Sequence, residues 1–107
     1  MSKVKQITEN NVNEVIQSKI GVLQFSADWC GPCKMLTPVM ESLSTDEQNS
    51  DITIGKVNVD GNQELAQKYG VRGIPTVIFF KDGKEVNGAK FVGFKSKEEL
   101  QKMINEL

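Results

Sequence analysis

Apolar and polar positions along the chain change period at regular intervals, and the changes mark out elements. Val4 to Ile7 reads as a short first strand. Thr8 follows as a helix N-cap, with Val12, Val15 and Ile16 at i, i+3 and i+4 behind it. Gly21 closes that unit. Val22 to Ala27 then reads as a buried strand carrying two polar positions, Gln24 and Ser26. Asp28 to Pro32 turns into a helix whose Leu36, Val39, Met40 and Leu43 share one face, so that it runs to about Ser44. Pro38 lies inside this helix and is expected to kink it.

The second half continues the alternation. Ile52 to Val59 reads as a strand. Asn62 caps a helix over Gln63 to Tyr69, which Gly70 ends. Thr76 to Phe80 is a strand, Lys81-Asp82-Gly83-Lys84 a hairpin turn, and Glu85 to Val92 the return strand. Ser96 and Glu99 form a capping box before a last helix with Leu100, Met103, Ile104 and Leu107 on one side. The order β-α-β-α-β-α-β-β-α predicts an α/β fold, a central mixed sheet of about five strands with helices on both faces. No repeat, linker or low-complexity tract divides the chain, so residues 1–107 are expected to form a single domain.

Composition narrows the chemistry. The chain has 107 residues, 38% of them hydrophobic and 25% charged. A domain of that size buries roughly 65% of its unfolded surface and needs no staple. Lys and Arg number 13 against 14 Asp and Glu, a net charge of −1. That balance gives no electrostatic case for nucleic acid or an anionic membrane. Histidine is absent, which excludes Ser-His-Asp and Cys-His catalysis and every His-ligated zinc site. The N-terminal residues carry no apolar secretory segment, and no run approaches the ~18 residues of a membrane span. A cytoplasmic, reducing location is therefore expected. A monomer is expected too, since every apolar stripe is needed by the core.

The two cysteines lie together in Trp29-Cys30-Gly31-Pro32-Cys33, where strand gives way to helix. Three readings compete. As a structural staple, a bridge closing four residues restrains the unfolded chain by only about 2 kcal/mol, against about 4.7 for a 100-residue loop. As a metal site, two thiolates are half of a zinc or iron–sulfur set, completed only by a dimer or by added carboxylates. As a redox dithiol, the pair is well placed. Cys30 falls at the helix N-cap, where unpaired N–H groups and the positive end of the dipole stabilise a thiolate. Lys34 adds positive charge one turn inward. Gly31 lets a substrate backbone approach, and Pro32 suits an early helix position. Cys33 lies three residues on, on the same face and shielded by the first turn. An exposed, nucleophilic Cys30 and a waiting Cys33 are expected. Trp29, beside an exposed thiol, is expected to shape a contact surface rather than fill the core.

Ala27-Asp28-Trp29-Cys30-Gly31-Pro32-Cys33-Lys34 resembles the active-site segment of the thioredoxin family. Lys56-Val57-Asn58-Val59-Asp60, Tyr69-Gly70-Val71-Arg72-Gly73-Ile74-Pro75-Thr76, Phe79-Phe80-Lys81-Asp82-Gly83 and Val92-Gly93 continue the resemblance at the expected separations, so that it spans essentially the whole chain. It implies the thioredoxin fold and a general protein disulfide reductase. Cys30 would attack a client disulfide and Cys33 would resolve the mixed disulfide, with no cofactor beyond the cysteine pair. The implied partners are disulfide-containing proteins and a thioredoxin reductase, linked either to NADPH and flavin or to ferredoxin. Sequence alone predicts a trans Ile74–Pro75 bond; the resemblance implies cis, with Pro75 facing the cysteines and the Ile74 backbone open to an extended client segment. Gly73 and Gly93 would flank that groove.

Two positions depart from the family pattern. Gln24 stands where a buried Asp is usual beneath the cysteines, and Ser26 where an aromatic is common. Gln24 cannot ionise, so it cannot take the proton of Cys33, and Lys56 loses its carboxylate neighbour. Gln24 is expected to be a hydrogen-bonded core residue, with Lys56 reaching solvent; compatibly with that, proton transfer from Cys33 is expected to go through water or through Cys30 as it leaves. Two other functions stay open at this point: a binding subunit of a larger assembly with dispensable thiols, and a more oxidising, isomerase-like member.

Overall fold

The computed structural model describes residues 2–107. Three neighbouring strands run parallel, β1 (Lys5–Ile7) at the edge, then β3 (Ile52–Asn58) and β2 (Ile20–Ser26). β4 (Thr76–Lys81) pairs antiparallel with β2, and β5 (Lys84–Glu85) and β6 (Phe91–Val92) pair antiparallel with β4. The sheet order is β1-β3-β2-β4-β5, with β6 also on β4. The mixed sheet is as the element order predicts.

Strand alternation sorts the core into two layers. Leu23, Phe25, Val57, Ile78 and Phe80 point to one face, where α1 (Asn13–Ile16) and α3 (Gln63–Lys68) cover them with Val15, Ile16, Leu65 and Ala66. Val22, Ile54, Val77 and Phe79 point to the other, against Leu36, Met40 and Leu43 of α2 (Gly31–Thr45) and Leu100 and Ile104 of α4 (Lys97–Asn105). Each fully buried Leu or Phe contributes about 1.5–3 kcal/mol, more than a single helix cap, so the two layers set the fold and the caps trim its ends. α2 runs unbroken through Pro38.

Three expectations are corrected. Thr8 is not a helix cap: its N–H donates to Asn11 Oδ1 (2.7 Å) and its Oγ1 accepts from Asn10 N–H (3.2 Å), which makes a turn, and α1 starts only at Asn13. A polar side chain at a chain reversal serves a turn as readily as a helix. Gly21 does not end a unit. It lies within β2, buried, and a Cβ there would overlap the Val15 carbonyl oxygen; the glycine lets α1 lie close on the strand. The return strand is broken. Phe80 faces Glu85, yet Val77 faces Phe91, so three residues of β4 match six on the return. Asn87 and Gly88 sit in this excursion, with Gly88 at φ +85°.

The hairpin turn is as expected. Asp82 and Gly83 both have positive φ (53° and 86°), the pairing that matches strand twist. The capping box is present on both sides: Glu99 N–H donates to Ser96 Oγ and Ser96 N–H to Glu99 Oε1, each 3.1 Å. Asn62 occupies the N-cap position of α3, but its side chain donates to the Asn58 carbonyl (2.9 Å) instead of capping.

Candidate active site

β2 ends at Ser26 and the chain turns at once, Cys30 N–H donating to the Ala27 carbonyl (3.2 Å). Cys30 is the N-cap of α2, with extended backbone (φ −90°, ψ 114°). Its sulfur accepts the Cys33 N–H at 3.3 Å, one of the donors that a helix start leaves unpaired. The Lys34 N–H donates to the Cys30 carbonyl (3.2 Å). Pro32 falls in the first turn, where its missing N–H costs nothing. Cys30 and Cys33 are joined as a disulfide, their Cα atoms 5.2 Å apart. Sulfur at Cys30 thus sits where backbone N–H and helix dipole favour negative charge.

Exposure at the pair differs from expectation in degree. Cys30 is 5% exposed and Cys33 1%. Cys30 is the more accessible, but in the disulfide form it is not an open thiol. Ala27, Val59 and Ile74 pack around both cysteines, and Gly31, Pro32 and Lys34 form the exposed edge above them.

A second loop faces the pair. The Ile74–Pro75 bond is cis, as the family resemblance implies. The Ile74 carbonyl oxygen lies 3.7 Å from Cys30 Sγ. Gly93 N–H donates to the Pro75 carbonyl (2.8 Å), and Thr76 Oγ1 to the Gly73 carbonyl, so the segment is tied from both ends. A Cβ on Gly73 would stand 3.4 Å from Val92 Cγ1, whereas one on Gly93, at φ +107°, would meet no atom within 4 Å. A side chain at Gly73 would thus make only ordinary contact with Val92, while Gly93 is needed for its backbone conformation.

Trp29 is 69% exposed, a surface residue as expected. Its indole Nε1 donates to Asp60 Oδ2 at 2.9 Å. A groove of about 460 Å³ runs from Trp29 to Gly73 and Ile74, floored by Val59, Ala66 and Val71 and rimmed by Arg72. Asp60 was not singled out by sequence reasoning. It lies 31 residues from Trp29, and only its place in the Lys56–Asp60 segment pointed toward it.

Gln24 lies on β2 and Lys56 on β3. They are register partners on adjacent parallel strands. Gln24 shares the face of Val22, toward α2 and α4. It is 0% exposed, and neither Oε1 nor Nε2 has a hydrogen-bond partner among the described residues. The expectation of a hydrogen-bonded core glutamine is corrected: alternation turns the side chain to the face that the apolar α2 and α4 layer covers, and Lys56, half-buried, does not bond to it. The buried polar side chains described are Gln24, Ser26, Ser44, Asn49 and Thr76, with no carboxylate among them. No cluster of three or more His, Cys, Asp or Glu suited to a metal occurs among the described residues, and no described helix is long and apolar enough to cross a membrane.

The thioredoxin family model matches residues 3–106. The chain belongs to the thioredoxin family. It is 48% identical over 103 residues to the thioredoxin of Chlamydia caviae, covering 96% of this chain and 97% of that one. It is 42% identical over 103 residues to the thioredoxin of Bacillus subtilis, covering 96% of each. Among solved structures, the thioredoxin of Malassezia sympodialis superposes with a TM-score of 0.85 at 34% identity, covering 99% of this chain and 91% of that one. A mutant thioredoxin from Halobacterium salinarum gives 0.84 at 35%, covering 99% and 93%. The fold is the thioredoxin fold, and the chain is a thiol–disulfide oxidoreductase working through its own cysteine pair without a cofactor.

Proposed function

We propose that Cys30 is the attacking sulfur and Cys33 the resolving one in the reduction of client-protein disulfides. The observation that carries the assignment is the Cys33 N–H donated to Cys30 Sγ at the start of α2. In the reduced protein, Cys30 thiolate attacks one sulfur of a client disulfide. The client S–S bond breaks, its other sulfur leaves as a thiolate, and a Cys30–client disulfide forms. Cys33 then loses its proton and attacks Cys30 Sγ. The second client sulfur leaves, and Cys30–Cys33 becomes the disulfide seen here; two electrons pass to the client. With no buried carboxylate described near the sheet centre, the Cys33 proton goes to solvent water or to the departing client thiolate.

Trp29, Gly73, Ile74, Pro75 and Gly93 receive the client segment. The Ile74 carbonyl, 3.7 Å from Cys30 Sγ, supports strand-like pairing with a client beside the reacting sulfur. Gly31 and Pro32 form the approach above it. Lys34, exposed on the first turn, adds positive potential. Gln24 and Lys56, register partners on β2 and β3, are supporting residues.

A thioredoxin reductase restores the dithiol, with NADPH–flavin and ferredoxin-linked enzymes both compatible with the site. Residues 1–107 act as one domain and as a monomer in the cytoplasm. The large apolar side chains described as exposed are Trp29, Met35, Val92 and Phe94, each within two residues of a site residue. That distribution supports a client surface.

The test is the equilibrium reduction potential of the pair, titrated against a defined thiol–disulfide buffer. A potential well below the glutathione pool is expected of a reductant. A potential above it assigns the protein to oxidase or isomerase chemistry instead.

A further inference from the structure

The excursion between β5 and β6 holds the chain's one Asn-Gly pair, Asn87-Gly88. Both residues are exposed. Ala89 N–H reaches the Val86 carbonyl at 3.4 Å, which makes Asn87 and Gly88 the central residues of a turn. Gly88 has φ +85°, the value that the third residue of a type II turn requires. A Cβ built on Gly88 meets nothing within 4 Å, so the turn is uncovered on that side.

The other asparagines are mostly held. The chain has eight. Side-chain hydrogen bonds engage Asn11, Asn49, Asn58, Asn62 and Asn105. Asn49, followed by the small Ser50, is buried and donates to the Leu43 carbonyl and Gln101. The Asn87 amide and the Gly88 N–H have no hydrogen-bond partner among the described residues.

We propose that Asn87 is a site of spontaneous covalent modification through a succinimide closed by Gly88. The Gly88 backbone nitrogen gives its proton to solvent base and attacks Asn87 Cγ. The bond from Cγ to the side-chain nitrogen breaks, and ammonia leaves. Water then opens the ring at either carbonyl, giving aspartate, or isoaspartate with the main chain rerouted through the side chain. One ammonia leaves and one water enters, with no change of oxidation state. The formal charge becomes one unit more negative than its present −1. That charge appears on a groove shared with Met103, Glu106 and Leu107. Glu106, the C-cap of α4, lines the same groove, and a carboxylate and a helix C-terminus both disfavour an added anion nearby.

The experiment ages the folded, full-length protein at physiological temperature in neutral and in mildly alkaline buffer, beside the same chain unfolded in urea. Peptide mass mapping and isoaspartyl methylation locate the products. Conversion at Asn87 ahead of every other asparagine is expected, faster in alkali, at a rate comparable with that of the unfolded chain. Asn87→Ser is expected to abolish the new acidic species on isoelectric focusing. An intact Asn87 while other asparagines convert overturns the proposal. So does a folded rate an order of magnitude below the unfolded one, because the turn would then protect the pair.

Discussion

Trp29 Nε1 donates to Asp60 Oδ2 at 2.9 Å, joining the residue before Cys30 to the short 3-10 turn after β3. The bond holds a mostly exposed indole as one wall of the client groove. Asp60→Ala frees the ring, while Asp60→Asn retains an accepting oxygen. Because the site is exposed, the bond is worth about 0.5–1 kcal/mol, a roughly two- to fivefold rise in client KM with kcat little changed. Trp29 is the sole tryptophan, so its fluorescence reports the same event. Equal kinetics and fluorescence in both variants and the parent would show that Asp60 does not position the ring.

Gln24 presents two unpartnered polar atoms at 0% exposure. Gln24→Leu removes both at nearly constant volume and is expected to stabilise the fold by about 1–3 kcal/mol in urea unfolding. Destabilisation would show that the amide is satisfied in solution.

Gln24→Asp acts on chemistry as well as stability. A buried carboxylate costs several kcal/mol unless paired, so this variant is expected to unfold at lower denaturant. It also supplies a proton acceptor on the α2 side of the sheet. Stopped-flow resolution of a preformed mixed disulfide is expected to accelerate near neutral pH. An unchanged rate across the neutral range would show that proton transfer from Cys33 is not limited by the missing acid.

Gly21 and Gly55 both lack room for a side chain, but differently. A Cβ on Gly21 meets the Val15 carbonyl, which is backbone; one on Gly55 meets the side chains of Ile7 and Val15. Side chains shift more easily than backbone. Gly21→Ala is therefore expected to cost about 3 kcal/mol or more, and Gly55→Ala about 1–3. Urea midpoints of the two variants give the order directly.

The start of α4 links stability to pH. Ser96→Ala is expected to cost about 1 kcal/mol as a lost N-cap. The Ser96 backbone N–H, then its hydroxyl, hold Glu99 below the ordinary glutamate value of 4.5. A lowered carboxylate contributes stability that is fully present above 4.5 and is lost as pH falls through the lower, folded value. Asp46, lowered chiefly by the Gln48 N–H, behaves with the same sign. Glu99→Gln is therefore expected to shrink the acid-side loss without abolishing it. An acid limb identical to the parent's would contradict the capping-box geometry.

Legibility in the sequence followed how local each cause is. The Cys30 cap, the Asp82-Gly83 hairpin and the Ser96–Glu99 box depend on residues a few positions apart, and local spacing reveals them. Thr8 reads as a cap because a turn held by Asn10 and Asn11 and a helix start use the same polar residues, while Gly21 is decided by the approach of Val15. The break in the return strand is not legible locally because the mismatch appears only in register with β4. At the site, the cysteine motif was plain, but the Trp29–Asp60 bond spans 31 residues and no spacing rule reaches that far. The bareness of Gln24 is likewise a property of its neighbours.

The most direct test of the account is covalent trapping with a disulfide client. Cys33→Ser is expected to accumulate a Cys30–client mixed disulfide that persists, since nothing remains to resolve it. Cys30→Ser is expected to give no adduct on the same timescale, Cys33 being the more deeply buried sulfur. Equal trapping at Cys33 in Cys30→Ser would contradict the assignment of attacker and resolver.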